Sequence, residues 1–228
     1  MRLDKFLAHT TDLTRTLARQ AIRQQRVAIN GQPADDASRA VQATDQITLD
    51  DKLLFLPGNR YIMLHKPAGY VCTREDTHHA NIFSLVTHSD DLHAAGRLDA
   101  DTTGLVLLTN DGQWSHRVTA PRRKCDKVYR VTLAQALSQD QTRQIEHGIM
   151  LNGEDKPTLP AQLEIISDTQ VRITIHEGKY HQVKRMFAAV DNKVTALHRE
   201  SIGHIKLDDN LKPGEWRELT NDEYQAFK

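Results

Sequence analysis

Leu105-Val106-Leu107-Leu108 is an apolar run with no polar residue alternating through it, and it constrains the fold more than any other stretch. Four apolar residues in a row, hemmed by turn signals, suit a buried strand. A polar loop precedes the run, Arg97-Leu98-Asp99-Ala100-Asp101-Thr102-Thr103, bounded by Gly96 and Gly104. Asn110-Asp111-Gly112 follows it and reads as a turn. A core strand therefore carries an arginine and two aspartates at its entrance. A carboxylate on a rigid element can hold charge beside a substrate in a fixed place. The same residues also fit a hairpin loop with solvated charges, because charged loops are common.

The 228 residues leave room for one large domain, or for a small and a medium one. Hydrophobic content of 39% and charged content of 26% fit a soluble globular protein. No apolar run approaches the roughly 18 residues of a membrane span. The start, Met1-Arg2-Leu3-Asp4-Lys5-Phe6-Leu7, lacks a signal-peptide core, so the cytoplasm is the expected location. Cys72 and Cys125 support neither a disulfide framework nor a zinc site. The pairs His78-His79 and His176/His181 are weak metal signals, and no metal site is expected. Thirty basic residues balance thirty acidic ones, which argues against a purely electrostatic nucleic-acid binder but leaves room for basic faces.

One such face lies at the start. Residues 1–30 carry Arg2, Lys5, Arg15, Arg19, Arg23 and Arg26 against Asp4 and Asp12. Arg15, Arg19, Arg23 and Arg26 share one side of a helix, with Leu13, Leu17, Ala21 and Ile22 on another. No carboxylate stands one turn away to neutralise the stripe, which favours phosphate contact over a merely solvated face. Asn30-Gly31 after Val27-Ala28-Ile29 signals a hairpin, and Val41, Ile47 and Leu49 supply a closing strand. Residues 51–60, with Pro57-Gly58, read as a linker. Arg2-Leu3-Asp4-Lys5-Phe6-Leu7, Thr14-Arg15, Arg26-Val27-x-Ile29-Asn30-Gly31 and Thr44-Asp45-x-Ile47 resemble an S4 RNA-binding domain, with Thr14 where that family usually has serine.

In the rest of the chain, Tyr61 to His65 reads as a strand that leaves Lys66 at the tip of a Lys66-Pro67-Ala68-Gly69 turn. Residues 73–91 read as a polar, mobile loop. Arg117, Arg122, Arg123, Lys124, Lys127 and Arg130 form a second basic cluster, and Pro121 breaks any helix begun near Gln113. Strands are expected over residues 128–132, 161–166 and 169–176, and a helix from Ser138 to His147 that Gly148 stops. Val183, Met186, Phe187 and Val190 fall at helical spacing, which puts Lys184 and Arg185 on the first turns of a core-packed helix. Further short strands follow, the last holding Trp216, and Thr220 to Glu223 form a capping box. Asp99-x-Asp101-x-Thr103-Gly104 imitates a calcium loop but has Asn110 at its twelfth position and apolar residues before it. Dinucleotide, P-loop and nucleophile-elbow motifs are missing.

His65-Lys66-Pro67-x-Gly69, Gly96-Arg97-Leu98-Asp99-x-Asp101-Thr102-x-Gly104-Leu105, Lys127-x-Tyr129 and Gly178-x-x-x-Gln182-Val183-Lys184-Arg185-Met186 together resemble the pseudouridine synthases over nearly the whole chain. His65 stands where many relatives have asparagine. The resemblance, closest to the branch acting on 16S ribosomal RNA, implies an α+β protein: an S4-type α/β domain over residues 1–58, then a catalytic domain over 59–228 with a mainly antiparallel mixed sheet and flanking helices. It implies isomerisation of a uridine without any cofactor, a ribosomal RNA partner, free or within an assembling small subunit, no membrane, and a monomer. It also implies catalytic roles for Asp99, Tyr129 and Lys184. Lys184, with Arg185 as second choice, opposes the cost of burying the Asp99 charge. Tyr129 offers a face for the flipped uracil. Arg97 joins Arg185 and the N-terminal cations as an RNA contact, Lys66 is either an RNA contact or a structural residue, and Asp101 shapes the loop through backbone N–H groups. The same chemistry on 23S ribosomal RNA, and a non-catalytic S4-type binding or ribosome-assembly protein, are the alternatives.

Overall fold

A computed structural model describes residues 1–42, 44–54, 58–75, 78–120 and 125–227. The chain divides into two compact units, Met1–Asn59 and Arg60–Lys228.

The first unit packs two helices, α1 (Leu3–Thr10) and α2 (Arg15–Arg23), with strands β1 (Val27–Ile29), β2 (Gln32–Pro33), β3 (Ile47–Leu49) and β4 (Lys52–Leu54) in the order β2-β1-β3-β4. Leu3, Phe6, Leu7, Ala18, Ala21, Ile22, Val27, Ile29 and Ile47 make its core. The Thr14 hydroxyl caps α2 by accepting from Leu17 N–H. Asn30 and Gly31 both have positive φ, 53° and 78°, as a two-residue hairpin turn with matching twist requires. Three expectations change here. Leu17 is exposed, so Ala18 takes its place on the buried face. Val41 lies outside the closing strand, held by its N–H to Met1 O. Residues 52–54 are strand rather than linker, because Asp50 and Asp51 adopt positive φ and turn the chain back onto β3. Pro57 lies outside the described residues.

The second unit is built on a large sheet. Its strands are β5 (Tyr61–Lys66), β8 (His93–Ala94), β9 (Thr103–Thr109), β10 (Lys127–Leu133), β11 (Gln162–Ser167), β12 (Gln170–Ile175), β13 (Val194–Ile202), β14 (Ile205–Lys206) and β15 (Trp216–Glu218); β6 (Tyr70–Val71) and β7 (Ala80–Asn81) pair separately. The main order is β11-β12-β10-β13-β9-β5-β15, antiparallel except where β9 runs parallel to β13. Helices α3 (Gly112–Thr119), α4 (Gln139–His147), α5 (Gln182–Ala188) and α6 (Asn221–Gln225) complete it. The expected α+β architecture is present.

The apolar run is the middle of this sheet. Leu105 to Leu108 are each 0% exposed. Val106 and Leu108 face a core with Tyr129, Val131, Ile173, Val183, Met186 and Phe187, while Leu105 and Leu107 face Trp114, Val118, Ile202 and Phe227. Both faces are covered, which explains why polar alternation is missing. Truncating Leu105, Leu107 or Leu108 to alanine should cost about 2–5 kcal/mol, as buried leucines do elsewhere. Asp111 does more than turn the chain: its carboxylate accepts from Gln113 and Trp114 N–H and caps α3. The capping box at Thr220/Glu223 forms as read, and Ser138 with Gln141 forms another at the start of α4.

Two expectations fail in this unit. The closing strands include β13, which spans nine residues and lies in the centre of the sheet. Residues 80–86 are anchored rather than mobile: a short 3-10 turn at Ile82–Leu85 follows the Asn81 cap, and Ile82, Phe83 and Val86 are buried. Asp76 and Thr77, in the same expected loop, lie outside the described residues. Of the second basic cluster, Pro121 and Arg122 to Lys124 also lie outside. Arg117 is bound to Phe227 O, and Arg130 pairs with Glu200.

Candidate active site

The polar loop springs from the parallel junction of β9 and β13. Gly104 has φ 106°, and a Cβ there would lie 2.3 Å from Arg199 O, so no other residue fits without moving a strand. Lys66, from the end of β5, holds the loop from beneath. Its Nζ donates to Pro67 O at 3.0 Å, Ala100 O at 3.0 Å and Thr102 O at 2.7 Å, and the side chain is wholly buried. Burial pulls its pKa below the usual lysine value. Lys66 is therefore a support for the loop, not an RNA contact: all its donors are taken and no solvent reaches it. Thr102 N–H closes onto Asp99 O, and Gly69 N–H onto Ala100 O.

On this support Asp99 meets two groups. Lys184, from α5, lies 2.9 Å from Asp99 Oδ2, and His181 Nε2 lies 3.3 Å from Oδ1. Lys184 Nζ also reaches Asp101 Oδ1 at 2.6 Å. Burial disfavours the Lys184 cation, yet its hydrogen bonds to Asp101 and Asp99 prevail and hold its pKa above the ordinary value. The same Lys184 contact holds the Asp101 carboxyl below the usual range. Asp101 is thus a second partner of Lys184 through its side chain, whereas backbone N–H bonding had been its expected use. His181 is held in left-handed backbone (φ 47°) and stacked on Tyr180 at 3.7 Å. Tyr180 is 72% exposed.

A cleft of about 210 Å³ opens beside Asp99, lined by Tyr129, Leu98, Ile175, Val183, Leu197 and Arg199 among others. It is smaller than the roughly 300–1,000 Å³ of drug-sized sites, a scale suited to one planar ring. Tyr129 is nearly buried, with its hydroxyl 3.5 Å from Arg199 Nη1. A second cleft of about 580 Å³ shares Arg97, Leu98, Asp99 and His181 with the first and adds Tyr180. Arg97 is exposed between the two, and among the described residues no hydrogen bond or ion pair engages its guanidinium.

Residues 60–189 match the RNA pseudouridylate synthase family, and residues 1–47 match the S4 domain. The chain belongs to the RNA pseudouridylate synthase family. Proteins named ribosomal small subunit pseudouridine synthase A are similar throughout: that of Vibrio cholerae is 51% identical over 100% of this chain and 99% of its own length, and that of Pasteurella multocida 49% over 100% and 99%. A solved structure described as pseudouridylate synthase superposes with TM-score 0.74 at 48% identity, covering 100% of both chains.

Within this synthase fold, Asp99, Tyr129 and Lys184 converge from β9's loop, β10 and α5. Arg185 does not join them. Its guanidinium bonds Glu154 Oε1, Tyr180 O and Asn152 O, so it braces a loop instead of facing the cleft. The N-terminal arginines are also more engaged than the sequence implied. Asp4, itself 0% exposed, pairs with Arg2 at 3.1 Å, Arg15 at 3.4 Å and Arg19 at 2.9 Å, and Arg26 pairs with Asp50. The stripe is neutralised in part by carboxylates from other elements rather than from its own helix. Lys5 and Arg23 are exposed, and among the described residues no ion pair engages them.

His181 and Arg199 are the two residues at the site that the sequence reading passed over. His181 carried only a weak metal signal with His176, which instead pairs with Asp126. Arg199 sat in Leu197-His198-Arg199-Glu200, where nothing marks one charge as inward. Among the described residues no three potential metal ligands converge, and no helix is long and apolar enough to cross a membrane.

Proposed function

We propose that the chain isomerises one uridine of 16S ribosomal RNA to pseudouridine, with Asp99 as the reacting carboxylate. The observation that carries this reading is the Asp99–Lys184 pair at the mouth of a ring-sized cleft backed by Tyr129. The names of relatives that match end to end direct the substrate to the small subunit.

The reaction breaks N1–C1′, turns the base and joins C5 to C1′. The target nucleotide leaves the RNA stack so that side chains can reach it. Lys184 offsets the cost of holding the Asp99 charge out of bulk water, and Tyr129 gives the base a flat neighbour. Arg97, unengaged at the rim, fills the space the base vacates or meets a phosphate. The arginines around Asp4, with Lys5 and Arg23, meet backbone phosphates. The partner is 16S ribosomal RNA, free or in an assembling particle, met in the cytoplasm by a monomer.

Tritium release from 5-tritiated uridine in small-subunit RNA, with pseudouridine mapping of 16S and 23S RNA in cells with and without the protein, tests the assignment. Asp99→Asn should lower turnover on the order of 10⁴-fold or more while RNA affinity stays near wild type. Retained turnover removes Asp99 from the chemistry, and modification found in 23S RNA alone removes the 16S assignment.

A further inference from the structure

Among the described residues, two buried polar atoms beside the Asp99 cleft have no hydrogen-bond partner: Arg199 Nη2 and Thr102 Oγ1. Both residues line the cleft, and each is 1% exposed. The rest of the Arg199 guanidinium is occupied. Nε donates to Leu105 O at 2.8 Å, and Nη1 reaches Arg97 O at 3.4 Å and the Tyr129 hydroxyl at 3.5 Å. Among the described residues no carboxylate lies within ion-pair distance of it. An unmatched guanidinium N–H and an unmatched hydroxyl are both costly in a protein interior. Native structures keep few such atoms, and a bound ligand is one of the reasons they persist.

We propose that Arg199 and Thr102 bind the polar edge of the flipped uracil, Arg199 Nη2 donating to a ring carbonyl oxygen and the Thr102 hydroxyl accepting from N3–H. The proposal rests on the reading that this cleft receives the target uridine. A base fits better than a phosphate. Tyr129, Leu98, Ile175, Val183 and Leu197 offer a ring an apolar face among the cleft's polar residues, and a phosphate has more acceptor oxygens than the one open N–H of Arg199 can satisfy. A neutral planar ring can be buried there if its edge is matched.

Arg199 then also serves the reaction. When N1–C1′ breaks, its electron pair stays with the base and the negative charge spreads over N1 and the carbonyl oxygens. A fixed guanidinium at a carbonyl stabilises that charge. C5 then bonds to C1′ with a ring electron pair, loses its proton to solvent, and N1 takes up a proton. No oxidant or reductant is needed.

The test is a cycle between enzyme and substrate. Single-turnover rates are measured for wild type and Arg199→Met on small-subunit RNA with uridine, 2-thiouridine or 4-thiouridine at the mapped target, and with a phosphorothioate at the target phosphate. Sulfur is a weak acceptor. In wild type, one of the two thio bases should slow the reaction about tenfold to a hundredfold, and that penalty should shrink below about threefold in Arg199→Met. Thr102→Val supplies a second arm if Arg199→Met fails to fold. It removes an unpaired buried hydroxyl, so thermal stability should not fall, while turnover drops about tenfold with KM for RNA unchanged. Independent penalties for both thio bases with unchanged Thr102→Val turnover overturn the proposal, as does coupling to the phosphorothioate alone. Retained turnover in Asp99→Asn instead means that the underlying reading has failed.

Discussion

In the N-terminal unit one carboxylate, Asp4, serves three arginines; in the C-terminal unit one ammonium, Lys184, serves two carboxylates. The ingredients are the same and the stoichiometry is inverted. Asp4 is fully buried while Arg2, Arg15 and Arg19 remain about half exposed, so the acid acts as an anchor and an excess of cation faces outward. Lys184 is mostly covered and Asp99 retains access to a cleft, so the excess there is carboxylate. An excess of guanidinium at a surface suits RNA phosphates. A carboxylate left facing a ring-sized cleft suits chemistry on one nucleotide.

This contrast can be broken at either end. After Asp99→Asn, the next largest effect should come from Lys184→Met, with turnover down about a hundredfold at neutral pH. Single-turnover rates check it, and turnover within about threefold of wild type would show that the Lys184–Asp99 pair does not serve the reaction. Asp4→Asn should come next: it leaves three guanidinium groups repelling one another, so the first transition in a thermal melt should drop and RNA affinity should weaken about tenfold. The pH sign follows from the same pairing. Hydrogen bonds from Arg2, opposed by burial and joined by Arg19 and Arg15, hold the Asp4 carboxyl well below the carboxylate range. Its contribution is therefore present above the unfolded value near 3.9 and fades only as pH falls towards the depressed folded one. In Asp4→Asn that acid-dependent part of stability should vanish from melts taken down the pH scale.

Arg15→Gln with Arg19→Gln should lower the slope of log affinity against log salt by about 1.4–1.8, the value for two lost phosphate contacts. A titration of RNA binding across salt concentrations checks it, and an unchanged slope means that the stripe serves only Asp4. Asp101→Asn should have the smallest effect, under about threefold in turnover, because Asp101 is 75% exposed and Lys184 keeps Asp99. A larger loss would make the two carboxylates one functional unit.

What was legible in the sequence was local or periodic. Leu105 to Leu108 announced a buried strand because nothing polar alternates with them. Asn30-Gly31 and Thr220 with Glu223 announced their own local turns and caps, which close within a few residues. The spacing of Val183, Met186, Phe187 and Val190 placed Lys184 on a core-packed helix, and the motif resemblance joined it to Asp99. Asp50-Asp51 misled in the other direction: two acids in series look like a solvated linker, yet both accept left-handed backbone and form a tight turn.

Only the tertiary structure decided where the charges end. Lys66 looks like a surface lysine at the tip of a turn, but three carbonyls enclose it. Arg185 adjoins Lys184 in sequence, and one helical step of about 100° sends it to Glu154 instead of Asp99. Arg15 and Arg19 found their carboxylate on another helix, and Arg199 found none among the described residues. Short-range hydrogen bonds and the periodicity of apolar side chains are written into neighbouring residues. Ion pairs between residues as far apart as Asp99 and Lys184, and the burial that decides whether a cation faces solvent, a carbonyl or a substrate, exist only once the sheet has brought distant strands together.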